Sequence, residues 1–102
     1  MNKQEILKTI HETEEKRDAL NKELEEVRYD RSTSLACKDH HFRKIMDIRE
    51  AGGDYSENRR LYLDMVSNLF DADLKLYVLH EEIEDLTVEI NSLYGEIREF
   101  AS

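Results

Sequence analysis

The sequence predicts an all-α fold, in which one domain spanning residues 1–102 forms an antiparallel two-helix hairpin. Its 102 residues include no proline and only three glycines, so the chain has few residues suited to turns. Apolar residues recur at alternating spacings of three and four through the second half, which is the period of a long helix packed along a seam. The strongest turn signal, Gly52-Gly53, lies at the midpoint. Sandwiches, barrels and βαβ folds need many more turns than this composition supplies.

The first helix is predicted over residues 3–50, with a seam that shifts along its length. The first part of this seam alternates steps of four and three and consists of Ile6, Ile10, Thr13, Arg17, Leu20, Leu24 and Val27. The next two steps, from Val27 to Arg31 and on to Leu35, are both four, which is a stutter. After it the seam consists of Lys38, Phe42, Ile45 and Arg49. Because three hydroxylic residues, 32–34, also weaken helix propensity there, we expect a kink or short break near residues 30–34.

The turn is predicted at Gly52, Gly53 and Asp54. The two glycines can adopt the left-handed conformation that ends a helix. Asp54 followed by Glu57 has the form of a capping box, with Asp54 as the N-cap and Glu57 three residues on. Arms of nearly equal length on either side of this turn favour an antiparallel hairpin over a parallel coiled coil.

The second helix is predicted over residues 55–100. Steps of three and four from Tyr62 meet an apolar residue every time. The twelve seam positions are Tyr62, Met65, Leu69, Ala72, Leu76, Leu79, Ile83, Leu86, Ile90, Leu93, Ile97 and Phe100.

The segment from Leu61 to Leu79 has more apolar residues than one seam can bury. A two-helix seam buries a stripe about 100° wide, whereas this segment is apolar around most of its circumference. We therefore expect another helix to cover it, from a second copy, from a folded-back part of the first helix or from a different protein. The predicted partner-binding residues are Tyr62, Leu63, Val66, Phe70, Leu74, Tyr77 and Val78.

Charge and composition argue against several classes of protein. Lys and Arg number 15 against 24 Asp and Glu, so binding to nucleic acid or to an anionic membrane is not expected. The acidity is concentrated in residues 52–102, with 4 basic against 12 acidic side chains. No apolar run is long enough to span a membrane, and no signal-peptide core is present at the N-terminus. A single cysteine excludes an internal disulfide.

No catalytic, cofactor-binding or metal-binding motif is present. Cys37 and His41 share a helix face at i and i+4, and His40 is adjacent, but no further ligands accompany them and a zinc site usually takes four. The sequence lacks a phosphate-binding glycine loop, a nucleophile elbow and a His-Glu-x-x-His pair. We therefore expect no enzyme activity, no metal and no cofactor.

In its outline of about 100 residues, a proline-free hairpin and a glycine turn, the chain resembles the ESAT-like proteins of type VII secretion. It is most similar to the small accessory proteins encoded beside LXG-domain toxins. Tyr77 and Glu81 have the Tyr-x-x-x-Asp/Glu form of that family's secretion signal, although they lie within the second helix. The resemblance implies a cytoplasmic adaptor or chaperone, co-secreted or not with its client. The adaptor would pack against the N-terminal helices of an LXG toxin, with or without a second small helical accessory protein.

Two other functions fit the same residues. The first is a homo-oligomeric scaffold, in which a second copy covers the excess apolar face in a four-helix bundle. The second is an acidic inhibitor of phage type that mimics nucleic acid.

Overall fold

The computed structural model describes residues 2–101 and contains two long helices, α1 over Lys3–Glu50 and α2 over Ser56–Ala101. Their bounds agree with the predicted ones to within one residue, and the predicted all-α helical hairpin is confirmed. The contacts between the helices pair an early residue of α1 with a late residue of α2, as in Arg17 with Thr87 and Arg31 with Asp73. The helices therefore run antiparallel. Within residues 2–101, neither helix has the length of apolar sequence that crossing a membrane requires.

Contacts divide the chain into two compact units, each containing a piece of both helices. Unit 1 consists of Met1–Glu25 and Tyr77–Ser102, and unit 2 is Glu26–Leu76. All the buried residues among those described lie in unit 1. They are Ile6, Ile10, Thr13, Leu24, Leu79, Ile90 and Leu93. The described residues of unit 2 are at most half-buried, although this unit contains most of the strongly apolar segment.

The seam of unit 1 follows the predicted alternation of fours and threes. Ile6, Ile10 and Leu93 form a cluster of buried residues there, and Ile97 packs against them. The polar side chain of Thr13 is buried there without cost in hydrogen bonds, because its Oγ1 donates to the carbonyl oxygen of Thr9 at 2.7 Å. Unit 1 is therefore held by an ordinary apolar core.

The seam shift predicted in α1 is wrong. The half-buried positions of α1 in unit 2 continue the alternation without a stutter, and they are Val27, Arg31, Ser34, Lys38, His41, Ile45 and Ile48. Leu35, Phe42 and Arg49, which the stutter placed in the seam, are exposed. Within unit 2, an unbroken alternation keeps the same face of α1 towards α2, whereas a stutter would locally unwind the pairing.

The short break expected near residues 30–34 is absent. Helix α1 runs without interruption through this segment. The hydroxyl of Thr33 donates to the carbonyl oxygen of Tyr29 at 3.2 Å, so it bonds back along the helix and does not cap a new one.

The turn forms as predicted at its glycines. Gly52 has a φ of +75°, and its N–H donates to the carbonyl oxygen of Arg49 while the N–H of Gly53 donates to that of Ile48. This pair of bonds is the Schellman motif, which satisfies carbonyls left open at a helix end. A Cβ on Gly53 would lie 3.0 Å from Cγ2 of Ile48, so the second glycine permits close packing against α1.

The predicted capping box is wrong, because the N-cap of α2 lies one residue later than predicted. The carbonyl of Tyr55 accepts the first helical bond, from Arg59, so Tyr55 is the N-cap and Asp54 precedes it. Asp54 Oδ1 accepts from both the hydroxyl and the backbone N–H of Ser56, and these bonds lower the pKa of Asp54. Glu57 pairs with Arg60 and does not reach back to the turn.

Replacing Gly52 with alanine is expected to lower the free energy of unfolding by about 1–2 kcal/mol, because a side chain disfavours positive φ. Gly95→Ala is the matched control within α2, where a Cβ meets nothing within 4 Å. It should raise stability by up to about 1 kcal/mol, because alanine is the better helix former. Urea denaturation of both variants measures the difference, and equal effects would contradict the role of Gly52.

Candidate helix-docking surface

The two helices of unit 2 present one apolar edge and one polar edge. We label seam positions a and d, with Lys38 and Leu69 at a, so that e and g flank the seam. In an antiparallel pair the e positions of both helices lie on one side of the seam and the g positions on the other. A groove on the g side of unit 2 shows this arrangement, since Asp30 of α1 lines it together with Asn68 and Lys75 of α2.

The polar edge is the g side, where charged and amide side chains line an open groove. Its lining residues are Val27, Asp30, Ser34, Asn68, Asp71, Ala72 and Lys75. Cys37 also lies at a g position, and its thiol is exposed. This edge is hydrophilic enough to face water.

The apolar edge is the e side, together with the neighbouring b positions. It consists of Leu35, Phe42 and Met46 from α1 and Leu63, Val66 and Phe70 from α2, all of them exposed. Phe70 is the most open of these, with 65% of its surface accessible. Tyr62 is half-buried beside this edge, with its ring centroid 6.1 Å from that of Phe42. Apolar side chains concentrated on one edge are typical of a surface that another chain covers.

The predicted partner-binding residues fall into three groups. Leu63, Val66 and Phe70 lie on the apolar edge, and Leu74 follows them on α2, also exposed. Tyr62 is half-buried at the seam. Tyr77 and Val78 are exposed but belong to unit 1.

The α1 half of the apolar edge was missed from the sequence. The predicted stutter assigned Leu35 and Phe42 to the seam, which hid their position on the edge. Continuing the alternation from Ile6 without a shift would have placed Leu35 and Phe42 at e and Met46 at b. The unshifted pattern requires the polar residues Ser34 and His41 in the seam, and the structure places both there.

The motif residues Tyr77 and Glu81 interact within α2. The hydroxyl of Tyr77 donates to Glu81 Oε1 at 2.7 Å. This hydrogen bond, together with the negative charge of Glu81, raises the pKa of Tyr77 because both favour the protonated phenol. The pair is exposed and is one helical turn long, as an i,i+4 spacing requires.

His40 and His41 of α1 lie near one another. The rings of His40 and His41 are 5.4 Å apart in an edge-on arrangement. His41 is half-buried, and its Nδ1 lies 3.4 Å from Oδ1 of Asn58. Among residues 2–101 no three side chains of His, Cys, Asp or Glu are grouped to hold a metal ion.

Charge is distributed unequally between the two units. Unit 1 contains 6 Lys and Arg residues against 14 Asp and Glu residues, whereas unit 2 contains 9 against 10. The apolar edge therefore belongs to the nearly neutral unit, where net charge opposes association least.

Two arginines border the apolar edge near the turn. Arg49 of α1 and Arg59 of α2 occupy e positions, and neither takes part in the ion pairs among the described residues. Asp73 occupies the e position towards the other end of the unit 2 part of α2 and accepts from Arg31 Nε at 2.6 Å. The edge thus has positive charge near the turn and, towards its other end, the ion pair of Asp73 with Arg31.

Comparison of the chain with protein-family models, with curated proteins and with solved structures finds no match.

Proposed function

We propose that this chain is a non-enzymatic helical adaptor, which binds a helix of a larger client along the apolar edge of unit 2. The observation that supports this proposal is the contrast between the two edges. Exposed Leu, Val, Met and Phe side chains are concentrated on one side of the seam, and the other side is hydrophilic. A helix laid along the apolar edge would contact α1 and α2 at once and complete a three-helix arrangement.

The composition of unit 2 suits an adaptor that must hold a client without being rigid by itself. Its α1 seam has Arg31, Ser34, Lys38 and His41 where unit 1 has mostly apolar residues. Polar residues at seam positions lower the stability of a helix pair but restrict its register and its partners. Burial of the apolar edge by a client would supply the stabilisation that this seam lacks.

The client we propose is the helical N-terminal region of an LXG-domain toxin, which the adaptor would help to target to the type VII secretion machinery. The support for this client is the resemblance of the hairpin to LXG-associated accessory proteins, together with the exposed apolar edge. Binding would take place in the cytoplasm, where the toxin is made, with or without a second small helical accessory protein. The acidic unit 1 would disfavour clients that are themselves strongly acidic.

Phe70→Asp is expected to abolish client binding, or to weaken it by roughly a hundredfold, because it places a charge at the centre of a buried contact. Val88→Asp is the matched control, since Val88 is 63% exposed on α2 but lies in unit 1, away from the apolar edge. Both variants should remain helical by circular dichroism.

The measurement is titration calorimetry of the three chains with the purified N-terminal region of an LXG toxin from the same organism. Tagged forms of the same three chains should also be used as baits in the native host, with a high-salt wash and mass spectrometry. A client is a protein that the wild type and Val88→Asp retain and Phe70→Asp loses. If Phe70→Asp binds as the wild type does, the apolar edge is not the docking surface.

A further inference from the structure

The exposed stripe of α2 in unit 2 is complementary to itself when the helix is reversed. Opposite charges then face one another at its ends, and apolar residues face one another between them. Its residues, in steps of four and three, are Arg59, Leu63, Val66, Phe70 and Asp73. Reversal about Val66 exchanges Arg59 with Asp73 and places Leu63 within one residue of Phe70. A helix with this pattern is complementary to an antiparallel copy of itself, as an isologous two-fold interface requires.

We propose that a second copy of this chain covers the apolar edge when no client is bound, in a two-fold dimer that pairs α2 with α2 around Val66. This inference rests on the proposed function, in which the apolar edge is a docking surface. It also identifies what covers this edge in the free protein, namely a second copy, which a client must displace. The dimer is therefore a storage form that keeps the apolar edge out of water until a client is bound.

The charged side chains at the two ends of the stripe are exposed. Arg59 is exposed, and none of the ion pairs among residues 2–101 involves it. Asp73 accepts from Arg31 Nε through Oδ1, and its side chain is still 56% exposed. In the antiparallel pair, Asp73 of each copy would accept from Arg59 of the other, giving two symmetry-related ion pairs.

The rest of the apolar edge supports the same arrangement. Leu35, Phe42 and Met46 of α1 lie on the same side of the seam, so they add apolar area beside the stripe. The near-neutral charge of unit 2 permits two copies to approach, whereas two copies of the strongly acidic unit 1 would repel one another. A contact confined to unit 2 is therefore the favourable way for this chain to self-associate.

Complementary charge reversal tests this dimer on the full chain. Wild-type protein should sediment at twice the 12.1 kDa mass of the chain at micromolar concentration. Arg59→Glu alone faces Asp73 of the second copy with a like charge, and Asp73→Arg alone faces Arg59 with one, so each should weaken the dimer by roughly tenfold or more. An equimolar mixture should restore it, because both ion pairs of the mixed dimer are then complementary.

Cysteine crosslinking provides a second measurement that does not depend on the Asp73–Arg31 contact. In a Cys37→Ser background, Val66→Cys places a thiol on the two-fold axis and should give a covalent dimer on mild oxidation. Asn68→Cys, on the polar edge, is the matched control and should migrate as a monomer on a non-reducing gel.

Each of three results would overturn the inference. These are a monomeric wild type at submillimolar concentration, a wild-type dimer that neither charge variant weakens, and the absence of a Val66→Cys crosslink. These outcomes leave the client titration with Phe70→Asp and Val88→Asp to be judged separately. Conversely, loss of the client proposal with an intact dimer would leave this interface standing as a self-association surface.

Discussion

Leu24→Ala is expected to lower the free energy of unfolding by about 2–4 kcal/mol, which is the range for a buried leucine whose removal leaves a cavity. Leu24 is only 5% exposed and lies in the seam of unit 1, which contains all the buried residues among those described. For a chain of this size, such a loss is a large share of the total stability. Urea denaturation followed by far-UV circular dichroism measures it.

Leu63→Ala is the control for this substitution, because it makes the same chemical change at a residue that is 53% exposed. We expect its effect to stay within about 0.5 kcal/mol for the free chain under conditions where it is monomeric. Equal losses for Leu24→Ala and Leu63→Ala would contradict the division into a buried core in unit 1 and an open edge in unit 2.

Lys38→Leu is expected to raise the free energy of unfolding by about 1–2 kcal/mol. Lys38 occupies a half-buried seam position in unit 2, where the α2 seam contains Met65 and Leu69. A leucine at this a position would add apolar burial and remove the cost of holding an ammonium group near the seam. The gain should be local, so amide hydrogen exchange in unit 2 should slow by roughly tenfold as well.

Lys22→Leu provides the comparison, since Lys22 is exposed on the outer face of α1 in unit 1. This change should leave the unfolding free energy within about 0.5 kcal/mol of the wild type. If Lys38→Leu does not stabilise the chain, the polar seam residues are not the reason why unit 2 is less buried than unit 1. If it stabilises the chain and also weakens client binding, the polar seam serves the adaptor function.

The sequence determined the parts of the fold that depend on a strong local pattern. The α2 seam was predicted correctly from Tyr62 to Ile97, because apolar residues alone occupy a single uninterrupted period. Phe100, the last predicted position, is exposed. The turn was also predictable, since Gly52 and Gly53 satisfy a backbone geometry that other residues resist.

The tertiary structure decided which face of α1 meets α2 beyond residue 31. Leu35 and Phe42 are apolar and Ser34 and His41 are polar, so local hydrophobicity favoured a shifted seam. The structure places Ser34 and His41 towards the seam of unit 2, so the steps of four and three continue unshifted past Arg31. The apolar edge follows from this phase, because polar residues occupy the seam of unit 2. The apolar residues Leu35, Phe42 and Met46 are therefore exposed. They lie on the same side of the seam as Leu63, Val66 and Phe70. The sequence pattern of α1 alone cannot show which of its residues lie on this edge, because the phase of α1 relative to α2 determines that.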